Sequence, residues 1–362
     1  MSTFKLANSY LSSGIYNSII DKNHFLCQLD ALFDWDDLAM PLWDLAKNEH
    51  GGRPRNNPVV LLKMIFLSFL FDTSDMDTEF YSTTNLYCKY FLRLPIDEKA
   101  PDASCLSRFR NDVLKIKGAS FFISLFNQVL IQAQDRGIVF GTIHAIDSTH
   151  TIANVNTFND RKNQDSEGKP RDPDASWGTK KTEIRKTVDG KKVKVPIHFH
   201  GYKTHLTGET DHGLIMGIHS TPGATADIDG WDVLVHRVLS EEQRKTIDVL
   251  LADKAGGCPV WINLLEKYDG ILTAFSLPEN MLENGEHKKK WQAYQADEGR
   301  KAFKKKRYII ERINADLKNN HSLRRCRYLG KIKYNFQATM AAIAHNVKLM
   351  ARIMTGVRFR AI

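Results

Sequence analysis

The chain has 362 residues, 42% of them apolar, which is enough for two domains or one large domain with an appendage and too apolar for disorder. Its formal charge of +9 is concentrated rather than spread, which favours a polyanionic partner over a merely solubilised surface. Five cysteines (Cys27, Cys88, Cys105, Cys258, Cys326) lie far apart with no CxxC pair, which argues against a disulfide framework or a zinc site and suits a reducing cytoplasm.

Residues 1–137 read as a helical region. The opening MSTFKLANSYLSSG carries no apolar signal segment. The most hydrophobic run, VVLLKMIFLSFLF at 59–71, is too short to span a bilayer and contains Lys63, so it is expected as a buried helix. Apolar residues recur at helical spacing in 77–94 and 120–137, with Pro54, Pro58, Pro95 and Pro101 as punctuation. In PDAS at 101–104, Asp102 or Ser104 offers a cap for CLSRFRNDVL. That segment sets Arg108 and Arg110 beside apolar positions, an arrangement as compatible with packing as with DNA binding.

The pattern changes at residue 138. IVFGTIHAID (138–147) reads as a strand that ends at Asp147. A basic, polar insertion follows, at about 150–197. IHFHGYKTHLTGE and HGLIMGIHSTP read as two further strands joined by a turn at TDHG, 210–213. DIDGWDVLVHRVLS (227–240) reads as a helix, and TIDVLLADKAGG as a buried strand ending at Asp253 before a Gly-rich turn. PVWINLLEKY reads as a helix, GILTAF as a strand, and a long basic helix containing Glu311 comes last. Three sequential strands followed by alternating helices and strands indicate an α/β domain with a mixed sheet over 138–355.

Two stretches hold the positive charge. Residues 288–333 contain sixteen Lys/Arg against four acids, a net +12, so the rest of the chain is slightly acidic. Residues 177–203 contain eight Lys/Arg against two acids. Nucleic acid is the usual partner of such runs. His198, His200 and His205 recur along one presumed strand and read as surface or DNA-facing histidines rather than metal ligands. Asp172 and Asp174 in RDPDAS read as turn formers. No GxGxxG, Walker or nucleophile-elbow motif occurs, which excludes nucleotide-driven and acyl-transfer chemistry.

Within the basic run, Glu311 stands out. On a helical wheel Ile309, Ile310, Ile313 and Leu317 form an apolar stripe, while Arg307, Glu311 and Lys318 share a narrow arc along its edge. The carboxylate is therefore expected at the core boundary, between two cations. Asp147 and Asp253 each end an apolar strand, the edge at which open α/β sheets bind ligands. Two aspartates and a glutamate among basic residues suit phosphoryl transfer with divalent metal. Hard cations take oxygen ligands, and two of them ~3.5–4 Å apart activate the attacking oxygen and stabilise the leaving one.

The segment with Arg307, Glu311 and Lys318 resembles the Y-xx-R-xxx-E-xxxxxx-K signature of the DDE transposases of bacterial insertion sequences, in the IS-four/IS-five superfamily; Lys304 stands where the tyrosine would be. AIDST (145–149) is similar to the first-aspartate motif of that family. LLADKAGG (250–257) is similar to the second, with Ala255 and Gly256 departing from its A-D-K-G-Y ending. LRRCRYLGKIKYNFQATMAAIAHNVKLM (323–350), DPDASWG (172–178), HGYKTH (200–205), GRPRNNPVVLLKM and PDASCLSRFR also match segments usual in the group, so the resemblance covers roughly residues 50–350.

That resemblance implies an RNase H-like catalytic core after an all-helical N-terminal region that serves DNA-end binding or dimerisation. It implies Asp147, Asp253 and Glu311 as catalytic and metal-binding residues for two Mg²⁺ ions, with Mn²⁺ as substitute. Arg307, Lys318, Lys203, Lys254, Arg324, Arg325 and Arg327 are expected at DNA phosphates. The implied activity is cleavage at terminal inverted repeats and joining of 3′ ends to target DNA, by a homodimer on double-stranded DNA, in the bacterial cytoplasm at the nucleoid and away from membranes. Two rivals stand beside it: a metal-dependent nuclease of the same core, and a DNA-binding relative without chemistry. The presence of all three carboxylates speaks against the second rival. Sequence does not separate cleavage from strand transfer, because both use the same ligands.

Overall fold

The computed structural model describes residues 13–46, 56–157, 170–186, 192–283 and 287–359. Pro54 and residues 158–169 and 187–191 of the basic insertion lie outside them. The chain divides into two compact units, Met1–Val139 with Thr339–Ile362, and Phe140–Ala338. The sequence reading carried the second domain on to residue 355; the structure groups everything from Thr339 with the N-terminal unit. The helix Lys331–Thr355 spans that boundary in the chain.

The N-terminal unit is helical throughout its described residues, with Phe25–Leu32, Trp35–Ala39, Pro58–Leu70, Asp75–Thr84, Leu86–Leu92, Ala103–Ile116 and Ser120–Asp135 as its main elements. Pro58–Leu70 is apolar all round apart from Lys63 and Ser68, and every one of its residues is buried, as such a pattern requires. Asp102 caps Ala103–Ile116 through the Cys105 amide, as its position in PDAS suggested. Arg110 does not face outward. It is buried and grips both oxygens of Asp75 at 3.2 and 2.8 Å, which makes it a packing residue.

The second unit is built on one mixed sheet of six strands: β1 (Ile143–Ile152), β2 (Ser176–Lys186), β3 (Lys192–Glu209), β4 (Ile215–Pro222), β5 (Val249–Ala252) and β6 (Leu272–Phe275). Their order is β2-β3-β1-β5-β6, with β4 also on β3. β3 runs antiparallel to β1, β2 and β4, while β1, β5 and β6 are parallel. Helices cover both faces, giving an α/β fold of RNase H-like kind. On one side Asp227–Val238 and Pro259–Asp269 enclose Trp231, Leu234, Trp261 and Leu265 together with Ile146, Leu250 and Phe275. On the other, Ile309, Ile310, Ile313 and Leu317 of Tyr308–Asn320 are buried, the apolar stripe the wheel predicts.

Several strand boundaries differ from the sequence reading, and β1 begins at Ile143 rather than at residue 138. β1 continues five residues beyond Asp147, because β3 keeps pairing with it as far as Ile152↔Gly201. β3 begins at Lys192 and β2 occupies part of the insertion read as polar and irregular. Those two strands satisfy each other's backbone, so they need no apolar alternation to signal them. The TDHG turn is where it was expected, and its cause is Glu209. Buried at the end of β3, its carboxylate accepts from the amides of Asp211 (2.8 Å), His212 (3.0 Å) and Leu214 (2.9 Å), while Gly213 takes φ +83°. All five cysteines are free. No single helix among the described residues is long and apolar enough to cross a membrane.

Candidate active site

Asp147 and Asp253 are brought together by strand register. β1 and β5 are adjacent and parallel, with Ala145 opposite Leu251; each aspartate lies two residues further on. Asp147 therefore sits within a strand and Asp253 just past the end of its neighbour. Asp253 caps the turn Lys254–Gly256 with one oxygen, which accepts from the Ala255 amide at 2.9 Å. Glu311 arrives on Tyr308–Asn320, in its first turn, paired with Arg307 at 2.5 Å. Its side chain is 61% exposed, so it stands further from the core boundary than the wheel suggested. The same helix reaches β1 directly, since Asn314 donates to Asp147 Oδ2 at 3.0 Å.

Asp147 is held on its other side by the Ser148 amide, 2.8 Å from Oδ1. Burial pushes its carboxyl up to about 6, and Asp253 and Asp227 push the same way, while the Ser148 amide and Arg307 oppose them. Asp227 was missed in the sequence. It opens the helix after β4 and pairs with Lys203 at 2.9 Å. Asp147 thus lies within electrostatic reach of both Asp253 and Asp227, and its own carboxyl is driven toward protonation. That is an environment a hard divalent cation fits, because it relieves both repulsion and desolvation. Of the chain's residues, Asp147, Asp253 and Glu311 would hold it.

A cation held by Asp147 would compete with the proton there. A carboxyl raised to about 6 costs stability above that pH, where the folded protein must ionise it, and the cost vanishes below the ordinary carboxylate value. Saturating Mn²⁺ is therefore expected to raise the melting temperature more at pH 7.5 than at pH 5.0. Equal shifts at the two pH values, read by differential scanning calorimetry, would remove Asp147 from the metal site.

Behind Asp147 lies a buried polar relay. The Ser148 hydroxyl accepts from the Trp231 indole at 2.8 Å and lies 2.7 Å from His205 Nδ1. The other ring nitrogen, His205 Nε2, is 2.7 Å from the Thr221 hydroxyl, so both nitrogens of the imidazole are engaged. His205 is fully buried and its pKa is lowered to about 3, chiefly by burial. It is thus neither surface nor DNA-facing, which corrects the sequence reading; residues 200 and 205 also differ in parity along β3 and cannot share a face. His198 is exposed and His200 half-buried. A methyl group added at Gly230 would fall inside the His205 ring. Gly230→Ala is expected to cost about 1–3 kcal/mol by overpacking, measurable as a lowered denaturation midpoint.

The expected phosphate-binding residues differ in availability. Arg324 and Arg325 are exposed and lie at the end of β1, where Ile152 bridges to Arg325 and accepts from the Cys326 amide at 2.8 Å. Lys318 is half-buried, 3.5 Å from His150 Nδ1; burial lowers its pKa to about 8, with Lys180 and Arg324 adding repulsion. Lys254 is exposed, 3.7 Å from Glu279. The Arg307 guanidinium is engaged with Glu311 and that of Arg327 with the Ser322 hydroxyl, while the Arg327 backbone amide donates to the Gln337 side chain. Lys203 points inward, to the Thr225 carbonyl and Asp227 at 2.9 Å each, rather than outward to a phosphate. Asp172 is more than a turn former: it is buried and accepts from the Tyr202 hydroxyl at 2.6 Å, while Asp174 receives the Lys331 amide at 2.9 Å.

Comparison with known families agrees with this arrangement. Residues 15–112 match the family model described as Transposase domain (DUF772), and residues 142–347 match the one described as Transposase DDE domain. No curated protein matches the chain. The DDE match covers more than half of the 362 residues and contains both aspartates and the glutamate. The chain therefore belongs to the DDE transposases of insertion sequences, a family that uses divalent metal to act on DNA.

Proposed function

We propose that this transposase binds the terminal inverted repeats of its own element, cleaves DNA there and transfers the freed 3′ ends to target DNA. Asp147, Asp253 and Glu311 are its catalytic and metal-binding residues. The observation that carries the reading is the convergence of two aspartates on adjacent parallel strands, with the Glu311 helix tied to the first of them. Two Mg²⁺ ions, or Mn²⁺ in their place, supply a lowered pKa for the attacking oxygen and stabilisation of the leaving one. The protein's part is positional. The Ser148 and Asn314 donors hold the Asp147 carboxylate from both sides, and the turn at Lys254–Gly256 holds Asp253. Arg324, Arg325, Lys318 and Lys254 are placed to bind backbone phosphates, with Arg307 and Arg327 available on exchange of partners. Lys203 contributes by balancing Asp227.

In each step an attacking oxygen bonds to phosphorus as the bond from phosphorus to the leaving 3′ oxygen breaks, so the same carboxylates serve cleavage and joining. The N-terminal unit recognises the ends or pairs two protomers, and the working form is a homodimer on DNA at the bacterial nucleoid. A labelled duplex carrying the element's own end tests the reading, incubated with Mg²⁺, with Mn²⁺ and without metal. Metal-dependent nicking at the end, followed by joining to a second duplex, supports it. Nicking without joining points to a nuclease of the same core, and binding without nicking to a relative that has lost its chemistry.

A further inference from the structure

Tyr308–Asn320 carries a second polar side chain toward the carboxylates. Asn314 follows Glu311 by three residues, so the two lie on neighbouring positions of one helix surface. Its amide nitrogen is 3.0 Å from Asp147 Oδ2. An ionised carboxylate only accepts hydrogen bonds, so the amide must present nitrogen to it and direct its oxygen elsewhere. That oxygen, Asn314 Oδ1, is buried and has no hydrogen-bond partner among the described residues. A buried acceptor left unmatched forfeits the hydrogen bond it would make to water and so costs stability. The helix interior has no need of asparagine either, since alanine favours the helix more. The residue therefore fits a task in the site better than a task in the fold.

We propose that Asn314 is a further positioning residue of the active site, acting through both ends of its amide. Its N–H group fixes Asp147 Oδ2 and couples the Glu311 helix to β1. Its Oδ1 receives a hydrogen bond from the hydration shell of the divalent cation that the carboxylates hold. Mg²⁺ keeps several waters in protein sites, and partners one shell out from a metal commonly set its affinity by 10–100-fold. The two tasks require one orientation of the amide. An aspartate at 314 would keep the shape and lose the donor, and an alanine would lose both groups while still favouring the helix. This inference rests on the assignment of Asp147 as a metal ligand.

The test is Mn²⁺ binding to the full-length protein without DNA, by isothermal titration calorimetry, for wild type, Asn314→Ala and Asp147→Ala. A second readout is the Mn²⁺ dependence of nicking on the element's own end. For Asn314→Ala the dissociation constant is expected to rise about ten-fold. The Mn²⁺ concentration giving half-maximal nicking should rise in parallel, with the rate at saturating Mn²⁺ falling far less. A purely structural role would lower the melting temperature and leave both metal constants unmoved. If Asp147→Ala abolishes Mn²⁺ binding and Asn314→Ala stays within two-fold of wild type, the role of Asn314 is overturned and the site stands. If Asp147→Ala binds Mn²⁺ as wild type does, the site assignment fails and this inference with it. Should Asn314→Ala fold poorly, Asn314→Ser replaces it, too short to reach Asp147 or the cation's waters: a raised metal requirement for nicking is expected, and an unchanged requirement overturns the proposal.

Discussion

Alanine at Asp147, Asp253 or Glu311 is expected to lower nicking of the element's own end by roughly a thousand-fold or more, since under the proposed assignment each removes an oxygen ligand of the metal that would stabilise the transition state. The three losses should not add, because any one substitution disables the same unit; the double variant Asp147→Ala/Asp253→Ala should be about as inactive as either single one. DNA binding should survive, as the groups proposed to bind phosphates are cations at other positions: Arg324 and Arg325 at the end of β1, Lys254 after β5 and Lys318 two turns along the same helix face from Glu311. Filter binding and nicking on the same duplex separate the two effects. The variants also differ in stability. Asp147→Ala removes a half-buried carboxyl with a raised pKa, so at neutral pH the folded protein should lose little or even gain. Inactivity accompanied by unfolding would argue against this account of the site.

The second large effect belongs to the N-terminal unit and concerns stability. Lys63 is completely buried in the apolar helix Pro58–Leu70, with its ammonium 2.5 Å from Asp30 and 2.7 Å from the Phe91 carbonyl, over the rings of Phe91 and Trp35. Asp30→Ala leaves that charge without its counterion and is expected to destabilise by about 3 kcal/mol at pH 6. Lys63→Met should cost less than about 1.5 kcal/mol, because methionine fills a similar volume and Asp30 keeps Arg93 at 3.2 Å. The pH dependence follows from the direction of the shift. Burial lowers Lys63 to about 8 from its ordinary 10.5, while Asp30 holds it up. Between those values the unfolded chain binds more protons than the folded one, so this group's unfavourable contribution is complete below about 8 and is relieved as pH rises. Without Asp30 the folded value drops further and relief begins earlier. The gap between Asp30→Ala and wild type should therefore be smaller at pH 9 than at pH 6, as read from urea denaturation midpoints. A gap that widens with pH would show that Lys63 is not the charge being stranded.

Much of this was legible before any coordinates. The run at 59–71, apolar but for Lys63 and Ser68 and too short to span a bilayer, read as a buried helix, and the Ile309, Ile310, Ile313, Leu317 stripe as one face of another, because apolar patterning reports which side of an element leaves water. Asp253 ended its strand where the apolar residues stopped. Asp147 was located correctly but its strand was cut short, since Ser148, Thr149, His150 and Thr151 break the apolar pattern while their backbones still pair with β3. The same cause hid β2. Asn314 was within reach of the wheel that singled out Glu311, one turn on, and nothing in an uncharged side chain drew attention to it.

Sequence by itself determined the inventory: a helical first region, an α/β second one, three carboxylates in order, and a basic C-terminal run. These are properties of local pattern and composition, which each segment carries with it. Tertiary structure alone decided which charges are used inside the protein. Lys203 was expected at a phosphate, and Arg110 was as compatible with packing as with DNA binding; they are spent on Asp227 and Asp75. His205 read as exposed and is sealed between Ser148, Thr221 and Gly230; Asp227 acts on Asp147 from a helix eighty residues away in the chain. Such pairings depend on strand register and on helices crossing the sheet, and no local pattern encodes a partner that only folding brings near.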